Sequence, residues 1–180
     1  RMGGRVGWTG EMADAIGSRW TYGARLESYA YNFSDFPSGN DPSSRGTDTV
    51  AMPQVFGMWR MPLFRNYGTT TRLVEPIVQV IAAPNAASNH HPNEDSLDLE
   101  FTDANLFSLN RYPGRDMLES GVRMNYGLRN TLFLQGGGSL EAMLGQSLRA
   151  RKDNTYDPNS GLASRASDIV GRLSAQVTPW

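Results

Sequence analysis

Carboxylates crowd one short stretch of this 180-residue chain: Glu94, Asp95, Asp98, Glu100 and Asp103. Hard divalent cations prefer such oxygens, but the spacing is not that of an EF-hand loop, so it predicts solvated loop charges and no metal site. His90 and His91 are adjacent in a polar run, and no further zinc ligands stand at suitable spacing, so they are expected on the surface. The chain has no Cys, which excludes disulfides and thiolate metal sites within it. "QGGGS", Gln135 to Ser139, lacks the Lys-Ser/Thr of a phosphate-cradling loop and reads as a hairpin turn. No nucleophile elbow and no Ser-His-Asp set is discernible. Glu75 and Glu141 share one face of their segments, but carboxylates on a wet face need not form an acid–base pair. No catalytic residue, cofactor or enzymatic activity is expected.

The polar residues with the most regular spacing are of another kind. In "GVRMNYGLRNTLFL", Gly121 to Leu134, Val122, Met124, Tyr126, Leu128, Leu132 and Leu134 alternate with Arg123, Asn125 and Arg129. A period of two is a strand whose two faces have different surroundings. In a soluble sheet the apolar face points to a core. In a membrane barrel it points to lipid and the arginines line a wet interior.

The elements that position these residues are about seven period-two segments. They run roughly Gly4 to Glu11, Arg19 to Phe33, Thr47 to Met61 (with Pro53 marking a bulge or unpaired amide), "TRLVEPIVQVIAA", the stretch just described, "SLEAMLGQSLR" and "DIVGRLSAQVTPW". Short connections around Ala13, Asn66 and Gly137 alternate with long ones at Asp35 to Gly46, Pro84 to Leu118 and Ala150 to Ala166. An antiparallel meander therefore has short turns at one end and long loops at the other, the asymmetry of outer-membrane barrels. Segments of about 10 residues or more suit a tilted crossing. No run of 18 apolar residues predicts a transmembrane helix. The balance of 17 basic and 18 acidic side chains gives no footprint for nucleic acid. Any targeting signal is expected to lie outside this chain. A soluble sheet with one wet face would give the same alternation.

The most specific text is "EPIVQVIAAPN" (Glu75 to Asn85), "NEDS" (Asn93 to Ser96), "FTDANLFSLNRYPGRD" (Phe101 to Asp116), "GVRMNYGLR", "GQSLR" (Gly145 to Arg149) and "SDIVGRLSAQVTPW" (Ser167 to Trp180). Together these resemble the barrel domain of the LptD family of lipopolysaccharide-assembly proteins, in the style of its alphaproteobacterial branch. The resemblance implies an all-β fold: an antiparallel meander forming an incomplete arc of a large transmembrane barrel in the Gram-negative outer membrane. Residues 1–180 would be part of one barrel domain, without the family's N-terminal jelly roll. It also implies the partners: lipopolysaccharide (LPS), an LptE-like lipoprotein plug, a periplasmic LPS bridge protein reached through the jelly roll, and outer-membrane lipid. A porin-like diffusion channel and a soluble binding module are the competing functions.

On this reading Glu75, Gln79, Arg123, Asn125, Arg129, Arg149 and Arg172 face the lumen. Arg25, Glu27, Glu141 and Gln176 fall on the same side. Val78, Val80, Val122, Met124, Tyr126 and Leu128 face lipid. The arginines could bind sugars and phosphates, or simply pair with Glu75, Glu141 or Asp168. The long connection carries Leu97, Leu99, Phe101, Leu106, Phe107 and Leu109, too apolar for free exposure to water. It is expected to fold over or into the barrel mouth, with Asn93, Glu94, Asp95, Ser96, Phe107 and Asn110 in that segment.

Overall fold

The computed structural model describes residues 2–38, 41–85, 99–114, 117–152 and 156–177. These residues form one antiparallel sheet. Its strands are β1 (Met2–Ala13), β2 (Arg19–Ser38), β3 (Asp41–Arg60), β4 (Leu63–Asn66), β5 (Thr70–Ala82), β6 (Val122–Leu134), β7 (Ser139–Arg149) and β8 (Val170–Gln176). They are ordered β1-β2-β3-β5-β6-β7-β8, with β4 paired to β5 beyond the end of β3. The sheet is an all-β meander and does not close on itself: β1 and β8 are its edges.

The seven segments expected from the alternation correspond to β1, β2, β3 and β5 to β8. The short eighth strand, β4, lies in what reads from sequence as a turn. It continues the ladder of β3 along β5, with Arg60 opposite Ile77 and Leu63 opposite Val74. Met61 still donates its amide to the Pro76 carbonyl at 3.2 Å. Pro62 has no amide to donate, so the ladder breaks there and resumes one residue later.

The expected long loop from Asp35 to Gly46 is corrected by the structure. β2 and β3 run on as a hairpin 20 residues long on each side. Register shifts at Phe33/Phe36 and Phe36/Ser38 absorb the irregular sequence. Turn-forming composition there marks bulges within a ladder, because a bulge accommodates an extra residue without ending the pairing. The connections at this end are thus 39–40, 83–121 and 150–169, against 14–18, 67–69 and 135–138 at the other. Each short turn holds a glycine at φ between +84° and +87° (Gly17, Gly68, Gly137), a conformation costly to any residue with a Cβ. Side-chain oxygens of Asp14 and Asn66 accept the amides of Ser18 and Gly68 at 2.9 and 2.8 Å, closing two of these turns.

The two faces of the sheet differ in an unusual sense. One carries Val6 and Trp8 of β1, Trp20 and Leu26 of β2, Val55 of β3, Val80 of β5, Leu128 of β6, Leu144 of β7 and Leu173 of β8, all exposed. The register sets them side by side: Val6 opposite Leu26, Val80 opposite Met124, Leu128 opposite Leu144. The other face carries the charged and amide side chains, and it is the one that is covered. The described part of the β5–β6 connection lies on it, joined by the β7–β8 connection. The principal apolar core lies between these connections and the sheet: Leu99, Phe101, Leu106 and Tyr112 from one, Tyr156 and Leu162 from the other, on Ile77 and Met143.

Candidate functional site on the covered polar face

The site begins with a row of side chains set by strand register. Gln79 on β5 is opposite Asn125 on β6, and Asn125 is opposite Ser147 on β7. Their alternation places all three on the covered face, where each is buried. Asn125 donates to Gln79 Oε1 at 2.7 Å, and its own carbonyl accepts from Ser147 Oγ at 2.7 Å. Side-chain amides of this face then hold loop backbone. Gln79 Nε2 donates to the Phe107 carbonyl at 3.0 Å, and Gln54 Nε2 of β3 to those of Leu109 and Glu119 at 3.3 and 3.2 Å. Buried amides retain partners because an unmade hydrogen bond there costs about 1–3 kcal/mol. A polar wall therefore selects a polar backbone to cover it.

One register position further along, Arg123 on β6 faces Arg149 on β7. Like charges directly opposite destabilise a sheet. Here both meet Glu119, which enters from the β5–β6 connection. Arg149 Nη2 donates to Glu119 Oε1 at 2.8 Å, and Arg123 Nη2 lies 3.2 Å from Oε2. A third guanidinium, Arg111 of the same connection, is 3.3 Å from Oε1. Arg111 also donates to Asn125, to Ser147 Oγ at 2.9 Å and to the Leu106 carbonyl at 3.2 Å. Asn110 fixes the neck of the connection, accepting the Glu119 amide at 3.0 Å and donating to the Met117 carbonyl at 3.1 Å. Tyr156 of the β7–β8 connection receives a hydrogen bond from Arg149 at 2.7 Å and stacks on Tyr112 with ring centroids 5.3 Å apart.

The electrostatics follow from this crowding. Burial alone would raise the Glu119 pKa. Arg123, Arg111 and Arg149 together outweigh that and hold it below the ordinary glutamate value. Burial lowers the pKa of Arg111, an effect that Glu119 opposes. Burial and then the negative charge of Glu119 raise that of the Tyr156 phenol. The arrangement is a buried ionic knot with three cations on one carboxylate among the described residues.

The sequence-derived site residues divide into three groups. Glu75, Gln79, Arg123, Asn125 and Arg149 lie together on the covered face, all buried, and Arg129 lies half-buried among them. Arg129 bonds Glu75 at 3.0 Å, and the more exposed Arg172 bonds Glu141 at 2.8 Å and approaches Asp103 to 3.5 Å. Val78, Val80, Val122, Met124, Tyr126 and Leu128 lie on the opposite face, exposed except for half-buried Val78. In the long connection Phe107 and Asn110 are half-buried against the sheet, while Asn93, Glu94, Asp95 and Ser96 lie outside the described residues, as do His90 and His91. On β2, Glu27 is buried between Arg25 at 2.7 Å and Arg5 at 3.2 Å. Sequence reasoning missed Glu119, Arg111 and Tyr156, which belong to no alternating segment.

A family model described as LptD: LPS transport system D matches residues 1–180, the full length of the chain. No curated protein matches.

Proposed function

The chain belongs to the LptD family, whose role is LPS transport and assembly at the outer membrane, and from that premise we propose that residues 1–180 are a contiguous part of one barrel domain, supplying an arc of the wall through which LPS reaches the outer leaflet. The observation that carries this reading is the inversion of burial. Arg123 is 1% exposed and Asn125 0%, while Leu144 is 61% and Leu173 83% exposed. A soluble sheet gains stability by the opposite arrangement, since each buried leucine contributes about 1.5–3 kcal/mol. An apolar face this wide is stable in water only when something covers it, and lipid covers a barrel from outside while leaving its interior polar.

In this reading β1, β2, β3 (continued by β4) and β5 to β8 cross the outer membrane, and further strands pair with the free edges of β1 and β8. Val78, Val80, Val122, Met124, Tyr126 and Leu128 contact lipid tails. Glu75, Gln79, Arg123, Asn125, Arg129, Arg149 and Arg172 face the lumen, where a lipoprotein plug and the glycan of LPS find hydrogen-bond partners. The described residues of the β5–β6 connection lie over this polar face, in keeping with a loop folded into the barrel mouth. A periplasmic bridge protein delivers LPS through another part of the whole protein.

Conditional depletion of the whole protein in cells tests this. Newly made LPS should stop arriving in the outer leaflet while other outer-membrane barrels continue to insert. Undiminished arrival would overturn the proposal. Steady ion conductance of the whole protein in planar bilayers without a plug partner would instead favour a diffusion channel.

A further inference from the structure

We propose that Arg123 and Arg149 form an anion seat on the covered face, which Glu119 fills in cis until a phosphate of the transported glycolipid replaces it. This rests on the reading above that LPS passes along this face. The seat itself is on the wall: the two arginines are directly opposed on neighbouring strands, a like-charge pair whose repulsion an anion between them relieves. The anion present is not part of the wall. Glu119 arrives from the β5–β6 connection and spans the pair with its two oxygens, Oε1 at 2.8 Å from Arg149 and Oε2 at 3.2 Å from Arg123.

Two details favour a visiting anion with more oxygens than a carboxylate. Arg123 is buried, and its Nε and Nη1 make no hydrogen bond among the described residues. A phosphate placed where the carboxylate now sits has further oxygens for these donors, and guanidinium forks suit phosphate geometry. The third cation of the knot, Arg111, belongs to the same connection as Glu119. If that connection lifts, it removes one positive and one negative charge together, leaving the facing pair on the wall. Displacement of Glu119 by a ligand thus couples anion binding to opening of the loop.

The test uses the whole protein in lipid bilayers, with spin labels at Ala104 in the loop and Gln135 in the β6–β7 turn. The probes are purified LPS, the same LPS after dephosphorylation, and inorganic phosphate. LPS should lengthen the label-to-label distance, and dephosphorylated LPS should not. Glu119→Gln should bind LPS at least tenfold more tightly than wild type, and adding Arg123→Gln should abolish that gain. Equal binding by wild type and Glu119→Gln, or equal movement with dephosphorylated LPS, overturns the proposal. If Glu119→Gln fails to fold, as judged by heat-modifiable gel mobility, Glu119→Asp replaces it: tighter binding supports the seat and unchanged binding overturns it. Tighter inorganic phosphate binding by the variant without any LPS binding would support the seat while removing LPS as its ligand.

Discussion

Gly127 on β6 and Gly145 on β7 stand directly opposite each other, and the side chain of Leu106 fills the notch they leave. A Cβ on Gly145 would come within 2.3 Å of Leu106 Cδ2 and 2.7 Å of the Tyr126 carbonyl oxygen. One on Gly127 would meet Met143 Cε at 2.7 Å and Phe107 at 3.3 Å. The missing side chains are what let the loop sit on the wall. Leu106 is fully buried, so Leu106→Ala should destabilise loop docking by about 2–5 kcal/mol. Gly145→Val should do so comparably by obstruction. Limited proteolysis within residues 99–114 of the whole protein should become faster in both. Unchanged cleavage rates would show that the notch does not hold the loop.

Acid should release the same loop by a different route. The folded-state pKa of Glu119 is depressed, so its contribution is fully present above the ordinary glutamate value. It is lost as the pH falls through the lower folded value. Cleavage within 99–114 should therefore stay slow at neutral pH and rise below the normal carboxylate range. Glu119→Gln should be cleaved fast at neutral pH, because removing one partner from a buried ion cluster costs about 3–5 kcal/mol. It should also lose most of the pH dependence. A wild-type cleavage rate that stayed flat down to strongly acid pH would contradict the assigned role of Glu119.

These tests fall on residues that sequence reasoning largely did not reach, and the reason is physical. Strand alternation is local, so the faces of β5, β6 and β7 could be read directly, and Glu75 and Glu141 stood out as possible partners for the arginines; which arginine meets which, Arg129 with Glu75 and Arg172 with Glu141, came from the structure. Glu119, Arg111 and Tyr156 sit in connections without periodicity. Their convergence on Arg123 depends on how two loops pack, a contact between residues far apart in the chain. The apolar content of the long connection announced that it folds against something, but not against which residues. At Asp35 to Gly46 the local signal misled, since Pro, Gly and Ser mark bulges as readily as loops.

The polarity of the meander makes a topological prediction. Asn159, exposed in the β7–β8 connection, should react with a membrane-impermeant thiol reagent on intact cells when replaced by Cys in the whole protein. Tyr67→Cys, exposed in the turn after β4, should not. The basis is that barrels in the outer membrane keep short turns on the periplasmic side. Reaction of position 67 from outside would invert the assigned orientation without changing the fold.

The assignment of the two faces is tested at neighbouring positions on β6. Leu128 is exposed opposite Leu144, and Arg129 bonds Glu75 on the other side. If Leu128 lies near mid-membrane, Leu128→Arg should cost about 2–4 kcal/mol, whereas the cost falls towards zero near the interfaces. Arg129→Leu should cost less, about 1–3 kcal/mol, since it leaves the buried Glu75 without a partner while Arg129 itself is half-exposed. Stability alone cannot separate lipid from a protein cover over Leu128, because both would punish an arginine. Spin labels at the two positions in the whole barrel in lipid make the separation. Lipid-soluble oxygen should relax the label at 128, and a water-soluble nickel chelate the one at 129. The reverse pattern would mean that the faces are exchanged. Equal access of the chelate to both would mean that the apolar face meets water, and the inversion of burial would then need a protein partner in place of lipid.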